Sequence, residues 1–357
     1  MDLRELDTPA LLVDVDRLET NVAAMARSFA GAGVALRPHV KTSKCWEVAR
    51  RQLDVGAVGM TCSTAAEVVW LRDRGVRDLL WANVPVGPGH VAVAVATPGL
   101  TVTLDSVEAA RPLSAAAVAA GVTVPFLLEV NTGHARLGVE PDRAVATAAA
   151  ITGLPGLRLR GVLTHEGHIA AAPDRPALEQ AGTAAGARLV AVAADLRAAG
   201  QAVEVVSVGS TPGATSAPFV DGVTEGRPGT YVYFDANQVR LGSATLDRCA
   251  LTVLARVVSV QRDGRAIIDA GVKAMSSDTI AAAGGVVTAP DGVPLPGVTF
   301  PEANEEHGFL LHSGGFAVGD LVRVVPNHAC GTTNMWSRAH AVRGTEVLAE
   351  WPISARY

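Results

Sequence analysis

Lysine is scarce in this chain: of 30 Lys and Arg residues, only Lys41, Lys44 and Lys273 are lysines. Arginine cannot lose its proton and act as a nucleophile, so lysines kept against such a background are enriched for positions that need an amine. The competing explanation is nucleotide bias, which an Ala- and Gly-rich composition would also reflect. Lys41 stands in the segment Leu36-Arg37-Pro38-His39-Val40-Lys41-Thr42-Ser43-Lys44, which ends a predicted strand, Ala35 to Val40. A desolvated amine beside other cations there would form a Schiff base with a carbonyl compound. The bland alternative is a solvated loop lysine. Lys44, three residues on, is predicted to lie in the following helix as a surface charge.

Two small-residue segments have the composition of an anion cradle. Gly209-Ser210-Thr211-Pro212-Gly213 offers backbone N–H groups and hydroxyls, and Arg227-Pro228-Gly229-Thr230-Tyr231 is the second such stretch. Either alone reads as an ordinary turn. Combined with Lys41 they imply a phosphorylated aldehyde cofactor, pyridoxal 5′-phosphate. A different chemistry is suggested by Pro326-Asn327-His328-Ala329-Cys330. In an extended segment His328 and Cys330 would point to one face, and nitrogen with sulfur favours Zn²⁺ over Mn²⁺, Co²⁺ or Mg²⁺. Two protein ligands would leave coordination positions open for water or substrate. The spacing by itself is a weak indicator of a metal. His307, in Glu305-Glu306-His307-Gly308, is either a neighbour of that site or a turn histidine.

These residues need strands to carry them. Eight apolar runs separated by Ala-rich amphipathic stretches are visible: Ala35 to Val40, Val58 to Cys62, Leu79 to Val84, Thr101 to Asp105, Val124 to Asn131, Leu157 to His165, Val203 to Gly209 and Thr230 to Asp235. The stretch Ala177 to Ala199 stops at Gly200 as a helix does at its cap. Strand and helix alternating eight times is the pattern of an α/β fold with a (β/α)8 TIM-type barrel, in which active sites sit at the C-terminal ends of strands and phosphate binds after strands seven and eight. An open doubly wound sheet would want a Gly-rich fingerprint after its first strand, and none is present. After Asp235 come Val-rich strands with Gly, Pro and Asp-Gly turns: Leu251 to Val260, Arg265 to Asp269, Gly284 to Thr288, Gly319 to Pro326, Ala339 to Val342 and Glu346 to Trp351. They predict a C-terminal antiparallel β domain. The expected boundaries are a barrel over residues 10–240 and a β domain over residues 245–357. The N-terminal strand, within residues 1–15, is left over from the eight and is available to join the β domain.

With 357 residues, 49% hydrophobic and 18% charged, the chain is too apolar for disorder. A net charge of −5 without a Lys/Arg cluster offers no footprint for nucleic acid or an anionic membrane. No run approaches a membrane span, and the N-terminus lacks the order of a signal peptide, so a cytoplasmic location is expected. Cys45, Cys62, Cys249 and Cys330 contain no CxxC pair and fit a reducing compartment.

Several segments together resemble a known family. Asn131-Thr132-Gly133-His134-Ala135-Arg136-Leu137-Gly138, Thr164-His165 and Arg227-Pro228-Gly229-Thr230-Tyr231 are similar, in that order, to the barrel of alanine racemase, the fold type III pyridoxal phosphate enzymes. Arg37-Pro38-His39-Val40-Lys41-Thr42 and Pro326-Asn327-His328-Ala329-Cys330 narrow the resemblance to the D-serine dehydratase and D-threonine aldolase-like branch, over essentially the whole chain. The resemblance implies that Lys41 is the Schiff-base lysine and that Arg136 lies near the cofactor's phenolic oxygen. It implies that His165 stacks on the pyridine ring, where a satisfied core histidine is the alternative; His168 is a weaker candidate with the same alternative. Ser210, Thr211, Gly229 and Thr230, with Tyr231 beside them, would hold the phosphate, and Arg227 would face the pyridine nitrogen. This branch places its divalent metal at the motif that His328 and Cys330 match.

The activity implied is β-elimination from a D-amino acid bearing a β-hydroxyl, giving an oxo acid and ammonia, with D-serine as first substrate and D-threonine or 3-hydroxyaspartate as bulkier ones. Lys41 would take the α-proton while the metal acts on the poor leaving group. Retro-aldol cleavage to glycine and an aldehyde is the runner-up; the resemblance associates a carboxylate with the Cys330 position in aldolases, which tilts the reading to the dehydratase. A racemase has no use for a metal on a hydroxyl. A non-catalytic pyridoxal phosphate carrier would have little need of His328 and Cys330, and a metal-dependent barrel hydrolase should draw its ligands from barrel strand ends. A homodimer is a further expectation of the resemblance.

Overall fold

Eight parallel strands follow an N-terminal strand β1 (Ala10–Asp14) along the chain: β2 (Ala35–Leu36), β3 (Met60–Cys62), β4 (Leu79–Trp81), β5 (Leu100–Leu104), β6 (Val124–Glu129), β7 (Leu157–Leu163), β8 (Val205–Val208) and β9 (Glu225–Gly226). The computed structural model describes residues 1–276 and 285–356. It divides into a barrel unit, Met25–Lys41 with Gln52–Gly229, and a second unit, Met1–Ala24 with Thr42–Arg51 and Thr230–Arg356. The barrel strands pair in the order β2-β9-β8-β7-β6-β5-β4-β3. A parallel bridge between His39 and Thr61, with Thr61 N donating to Pro38 O at 2.8 Å, joins the two ends and closes the ring.

The barrel strands are apolar because they are covered on both faces; every residue of β5 is buried. Leu80, Leu127 and Leu163 pack together with Val205 from strands that are not all neighbours, a contact made across the barrel interior. Gly161 is required by a close approach: a Cβ there would lie 1.9 Å from Val205 O. Helices start where side chains cap them, as Thr64 accepts from Glu67 N and Asp174 from Ala177 N.

Two barrel strands differ from the sequence expectation. The eighth is Glu225–Gly226, not Thr230 to Asp235. Thr230–Val232 is a 3-10 turn, the Tyr231-Val232-Tyr233-Phe234 run that overlaps it is buried, and a short buried apolar run does not distinguish strand from turn by its periodicity. The first strand stops at Leu36 because Pro38 has no N–H for the ladder and Val40–Thr42 coils into a 3-10 turn. Lys41 therefore stands in that turn, past the strand.

The barrel also buries charge. Arg37 Nε donates to Glu225 Oε2 at 2.7 Å, and its Nη1 lies 2.9 Å from Asp78 Oδ1. Burial alone would lower the Arg37 guanidinium, but Glu225 and Asp78 outweigh it and hold it up. Removing one partner strands the other in the interior. Arg37→Leu is expected to cost about 3–5 kcal/mol in urea unfolding; a loss under about 1 kcal/mol would place this pair with exposed ones.

The second unit holds β1 and eight further strands: β10 (Leu251–Arg262), β11 (Arg265–Ile268), β12 (Val286–Thr288), β13 (Thr299–Ala303), β14 (Gly308–Leu311), β15 (Leu321–Val325), β16 (Arg338–Arg343) and β17 (Glu346–Pro352). Their main order is β13-β14-β11-β10-β1-β16-β17, with β15 pairing β10 and β12. Pairings are antiparallel except β1 with β16; β1 pairs β10 with Leu12 opposite Thr252. Gly284, at the start of the expected Gly284 to Thr288 strand, lies outside the described residues. β13 and β14 were illegible in sequence because Pro301 and a run of charge interrupt them, as an edge strand tolerates. Lys44 is corrected too: it precedes its helix at positive φ, is buried, and its Nζ donates to Ala355 O at 2.8 Å. Among the described residues no helix is long and apolar enough to cross a membrane.

Candidate active site

At the C-terminal ends of the barrel strands, the chain's amine and its imidazoles gather. His39 accepts at Nδ1 from Lys41 N at 3.5 Å and contacts Ser63 Oγ through Nε2 at 3.2 Å. Lys41 is half-buried. Past β7, Thr164 shares a 2.8 Å hydroxyl contact with Thr132 and donates to Val130 O at 2.9 Å, which anchors the turn carrying His165. His165 Nδ1 donates to Gly209 O. His134 packs edge-on against it with ring centres 5.5 Å apart. Arg136 is exposed on a loop folded by Asn131, whose Oδ1 accepts from Gly133 N and Ala135 N at 3.0 Å each. His168 lies in the 3-10 turn Gly167–Ala171 and its buried Nδ1 has no hydrogen-bond partner among the described residues.

The charges act on one another. Burial first, then Lys41, Arg136 and Arg227, push His165 down to about 3, against its bond to Gly209 O. His39 is pushed down by burial and by Lys41, Arg227 and His165. Both rings are neutral at physiological pH. An unfolded histidine takes up its proton near pH 6.5. The stability contributed by His165 is therefore complete above that value and is lost as pH falls from about 6.5 towards 3, where only the unfolded chain is protonated. His165→Gln is expected to flatten the fall in urea midpoint between pH 7.5 and 5; an unchanged slope would assign the acid sensitivity elsewhere.

Two carboxylates were missed in sequence. Glu166, buried, accepts from Gly209 N at 3.0 Å and from Ser210 Oγ at 2.8 Å, while Ser210 Oγ accepts from Gly213 N at 3.0 Å. A Cβ on Gly213 would lie 2.8 Å from Glu166 Oε1, so the loop keeps glycine there. The Ser210 proton is committed to Glu166. Among the described residues the N–H groups of Ser210 and Gly229, which follow the adjacent strands β8 and β9, donate to no protein acceptor. Thr211 is buried in the same loop. Such unsatisfied donors fit a phosphate. Glu129, at the end of β6, lines a pocket with Arg136, Thr164 and His165; burial raises its carboxyl although Arg136 and Arg227 pull it down. A lone Glu ending an apolar run was the available signal. Arg227 is buried, its Nη1 on Ser207 Oγ at 2.5 Å and its Nη2 on Thr164 O at 2.7 Å.

The second unit holds the remaining candidates. Tyr231 is fully buried in it and Thr230 begins the 3-10 turn. The expected extended geometry of His328 and Cys330 forms only in part: His328 is the extended N-cap residue of the helix Ala329–Met335, without a side-chain cap bond, and Cys330 is the second residue of that helix. Asp235 explains the turn, accepting from Ala329 N at 2.9 Å while capping its own helix at Gln238 N. With only Cys330 of the two in helical conformation, the two-residue alternation of a strand does not set where these side chains lie. Instead Cys330 Sγ lies 3.1 Å from Thr42 Oγ1 and 3.6 Å from Thr230 Oγ1. Among the described residues no group of three His, Cys, Asp or Glu side chains is arranged to hold a metal. The nitrogen and sulfur donors fit an open cation site, not a closed structural one. His307 lies exposed in the β13–β14 hairpin, where its carbonyl accepts from Asn304 N at 2.8 Å, a turn histidine.

Comparison with known proteins agrees with this architecture. Residues 13–237 match the alanine racemase N-terminal domain family and residues 250–342 match the serine dehydratase domain. D-threo-3-hydroxyaspartate dehydratase of Delftia sp. is 38% identical over 98% of this chain and 97% of its own. D-threonine aldolase of Arthrobacter sp. is 32% identical over 99% of this chain and 94% of its own. A solved structure of the dehydratase, a cysteine-to-alanine variant in the metal-free form, superposes with a TM-score of 0.93 at 36% identity, covering 99% of this chain and 98% of that one. With both units matched along nearly their whole length, the chain belongs to the alanine racemase N-terminal domain family, in its branch of D-hydroxyamino acid lyases that carry a serine dehydratase domain.

Proposed function

We propose that the chain is a pyridoxal phosphate- and divalent metal-dependent lyase that eliminates the β-hydroxyl of a D-β-hydroxy-α-amino acid, yielding an oxo acid and ammonia. The observation that carries this reading is Lys41, an amine past the first barrel strand in the neighbourhood of neutral imidazoles. The unpaired N–H groups of Ser210 and Gly229 suit the phosphate, Arg136 the phenolic oxygen, His165 the ring face and Arg227 the ring nitrogen. Thr211, Thr230 and Tyr231 complete the set assigned to that group.

When bound, pyridoxal phosphate supplies an electron sink and a cation at His328 and Cys330 supplies Lewis acidity. The protein's own part is proton handling and placement. The Lys41 amine takes the α-proton. His165, whose Nδ1–H is committed to Gly209 O, stays neutral and keeps a fixed ring plane. Glu166 holds the Gly209–Gly213 turn in shape without facing the phosphate with a free hydroxyl proton. Cys330 Sγ lies beside the Thr42 and Thr230 hydroxyls, which can donate to the thiolate form that a metal binds. Zn²⁺ suits this donor pair, and the metal-free form of the related dehydratase is a cysteine variant.

Retro-aldol cleavage is the second reading, favoured by the aldolase among the relatives. Incubating the protein with D-serine, D-threonine and D-threo-3-hydroxyaspartate, with and without chelator, separates the two. Oxo acid with ammonia supports elimination, glycine with aldehyde supports cleavage, and neither product in any incubation overturns the enzyme reading.

A further inference from the structure

A chain of hydrogen bonds runs through the barrel interior to Arg227. Glu225 on β9 accepts from Arg37 Nε at Oε2, 2.7 Å, and from Ser207 Oγ at Oε1, 2.7 Å. Ser207 stands on β8 directly opposite Glu225 in the parallel register. Its oxygen accepts from Arg227 Nη1 at 2.5 Å, and Arg227 Nη2 donates to Thr164 O at 2.7 Å. All four residues are buried, between 0% and 5% exposed.

The direction of every bond in this chain is fixed by chemistry. A carboxylate only accepts and a guanidinium only donates, so the single proton of Ser207 must go to Glu225 and its lone pairs must face Arg227. One carboxylate thereby lies between two guanidiniums. The plane of Arg227 is held by two acceptors of unlike origin, one from β8 and one from the residue after β7.

We propose that Ser207 and Glu225 are positioning residues that fix the plane and bonding direction of the Arg227 guanidinium presented to the cofactor ring. The inference rests on the reading of this barrel as a pyridoxal phosphate site and goes beyond it by assigning the buried relay a task in that site. Neither residue touches substrate or cofactor in this assignment; each acts through Arg227.

The test uses full-length protein loaded with pyridoxal phosphate and three variants, Ser207→Ala, Ser207→Thr and Ser207→Cys. The readouts are the dissociation constant for pyridoxal phosphate, the pH midpoint of the visible band of the lysine-bound cofactor, and the thermal midpoint of the metal- and cofactor-free chain. Loss of a charge-assisted hydrogen bond at Arg227 is expected to weaken cofactor binding about tenfold and to move the band's midpoint in Ser207→Ala. Ser207→Thr, which keeps the hydroxyl, should restore both. Should Ser207→Ala fail to fold, Ser207→Cys, with a weakly accepting sulfur, carries the same expectation. Wild-type affinity and midpoint in a folded Ala or Cys variant would overturn the relay's role. So would a Thr variant as impaired as the Ala variant, because volume and not the hydroxyl would then be responsible. A wild-type protein with no visible band would overturn the cofactor reading itself, and the inference with it.

Discussion

Lys41→Ala is expected to lose turnover by roughly four orders of magnitude or more, because one substitution removes both the covalent anchor and the base for the α-proton. The stability of the fold should hardly change. Lys41 is only half-buried, stands in a short 3-10 turn past its strand, and makes none of the buried ion pairs of the barrel. Borohydride reduction of loaded wild-type protein followed by peptide mass analysis should find the label on Lys41 and nowhere else; Lys44, whose Nζ is bonded to Ala355 O, should stay unlabelled. A Lys41→Ala protein that still turned over substrate, or a label found on Lys44 or Lys273, would remove the central assignment. Lys41→Arg discriminates further: it keeps the positive charge that depresses His39 and His165, so it should preserve their neutrality while remaining inactive.

What could be read in the sequence follows from how local each signal is. The scarcity of lysine singled out Lys41 without any structure, and eight apolar runs separated by amphipathic stretches were enough for the barrel, since parallel strands covered on both faces are continuously apolar. The Tyr231-Val232-Tyr233-Phe234 run misled because burial and strand formation leave the same trace. The His328 and Cys330 pair was read as extended throughout, yet a helix begins between them, capped by Asp235 from nearly a hundred positions away in sequence. The same distance hides the interior network. Arg37 and Glu225 are 188 residues apart and Ser207 and Arg227 are 20 apart, and nothing in the residue pattern of Val223-Thr224-Glu225-Gly226 distinguishes a barrel carboxylate from a polar loop. Glu166 was overlooked for a related reason: within Thr164-His165-Glu166-Gly167-His168 the histidines draw attention, and only the fold brings Gly209 and Ser210 to its carboxylate.

Cys330→Ala should separate the two halves of the proposed chemistry. The thiol lies among Thr42 and Thr230 hydroxyls in the second unit, whereas the amine, the imidazoles and the β8 loop all belong to the barrel unit. Cofactor loading, measured by the visible band and by the Lys41 label, is therefore expected to survive in the variant while bound metal is lost. Lewis-acid assistance on a hydroxyl is worth several kcal/mol, so turnover should fall by roughly 10²-fold or more. Chelation of the wild type should reproduce that loss, and Zn²⁺ or Mn²⁺ should restore the wild type but not the variant, measured by metal analysis alongside product formation. Full activity in a metal-free Cys330→Ala protein would exclude the cation site. The experiment does not by itself choose between elimination and cleavage, because a cation on the β-hydroxyl aids both: it makes hydroxide a better leaving group in one and lowers the hydroxyl's pKa in the other. The choice depends on which bond the protein's bases are placed to break. An α-proton taken by Lys41 commits the carbon skeleton to stay intact, so wild-type release of oxo acid, with α-hydrogen exchange into solvent that persists in metal-depleted protein, would tie the amine to elimination and leave the cation only the leaving group.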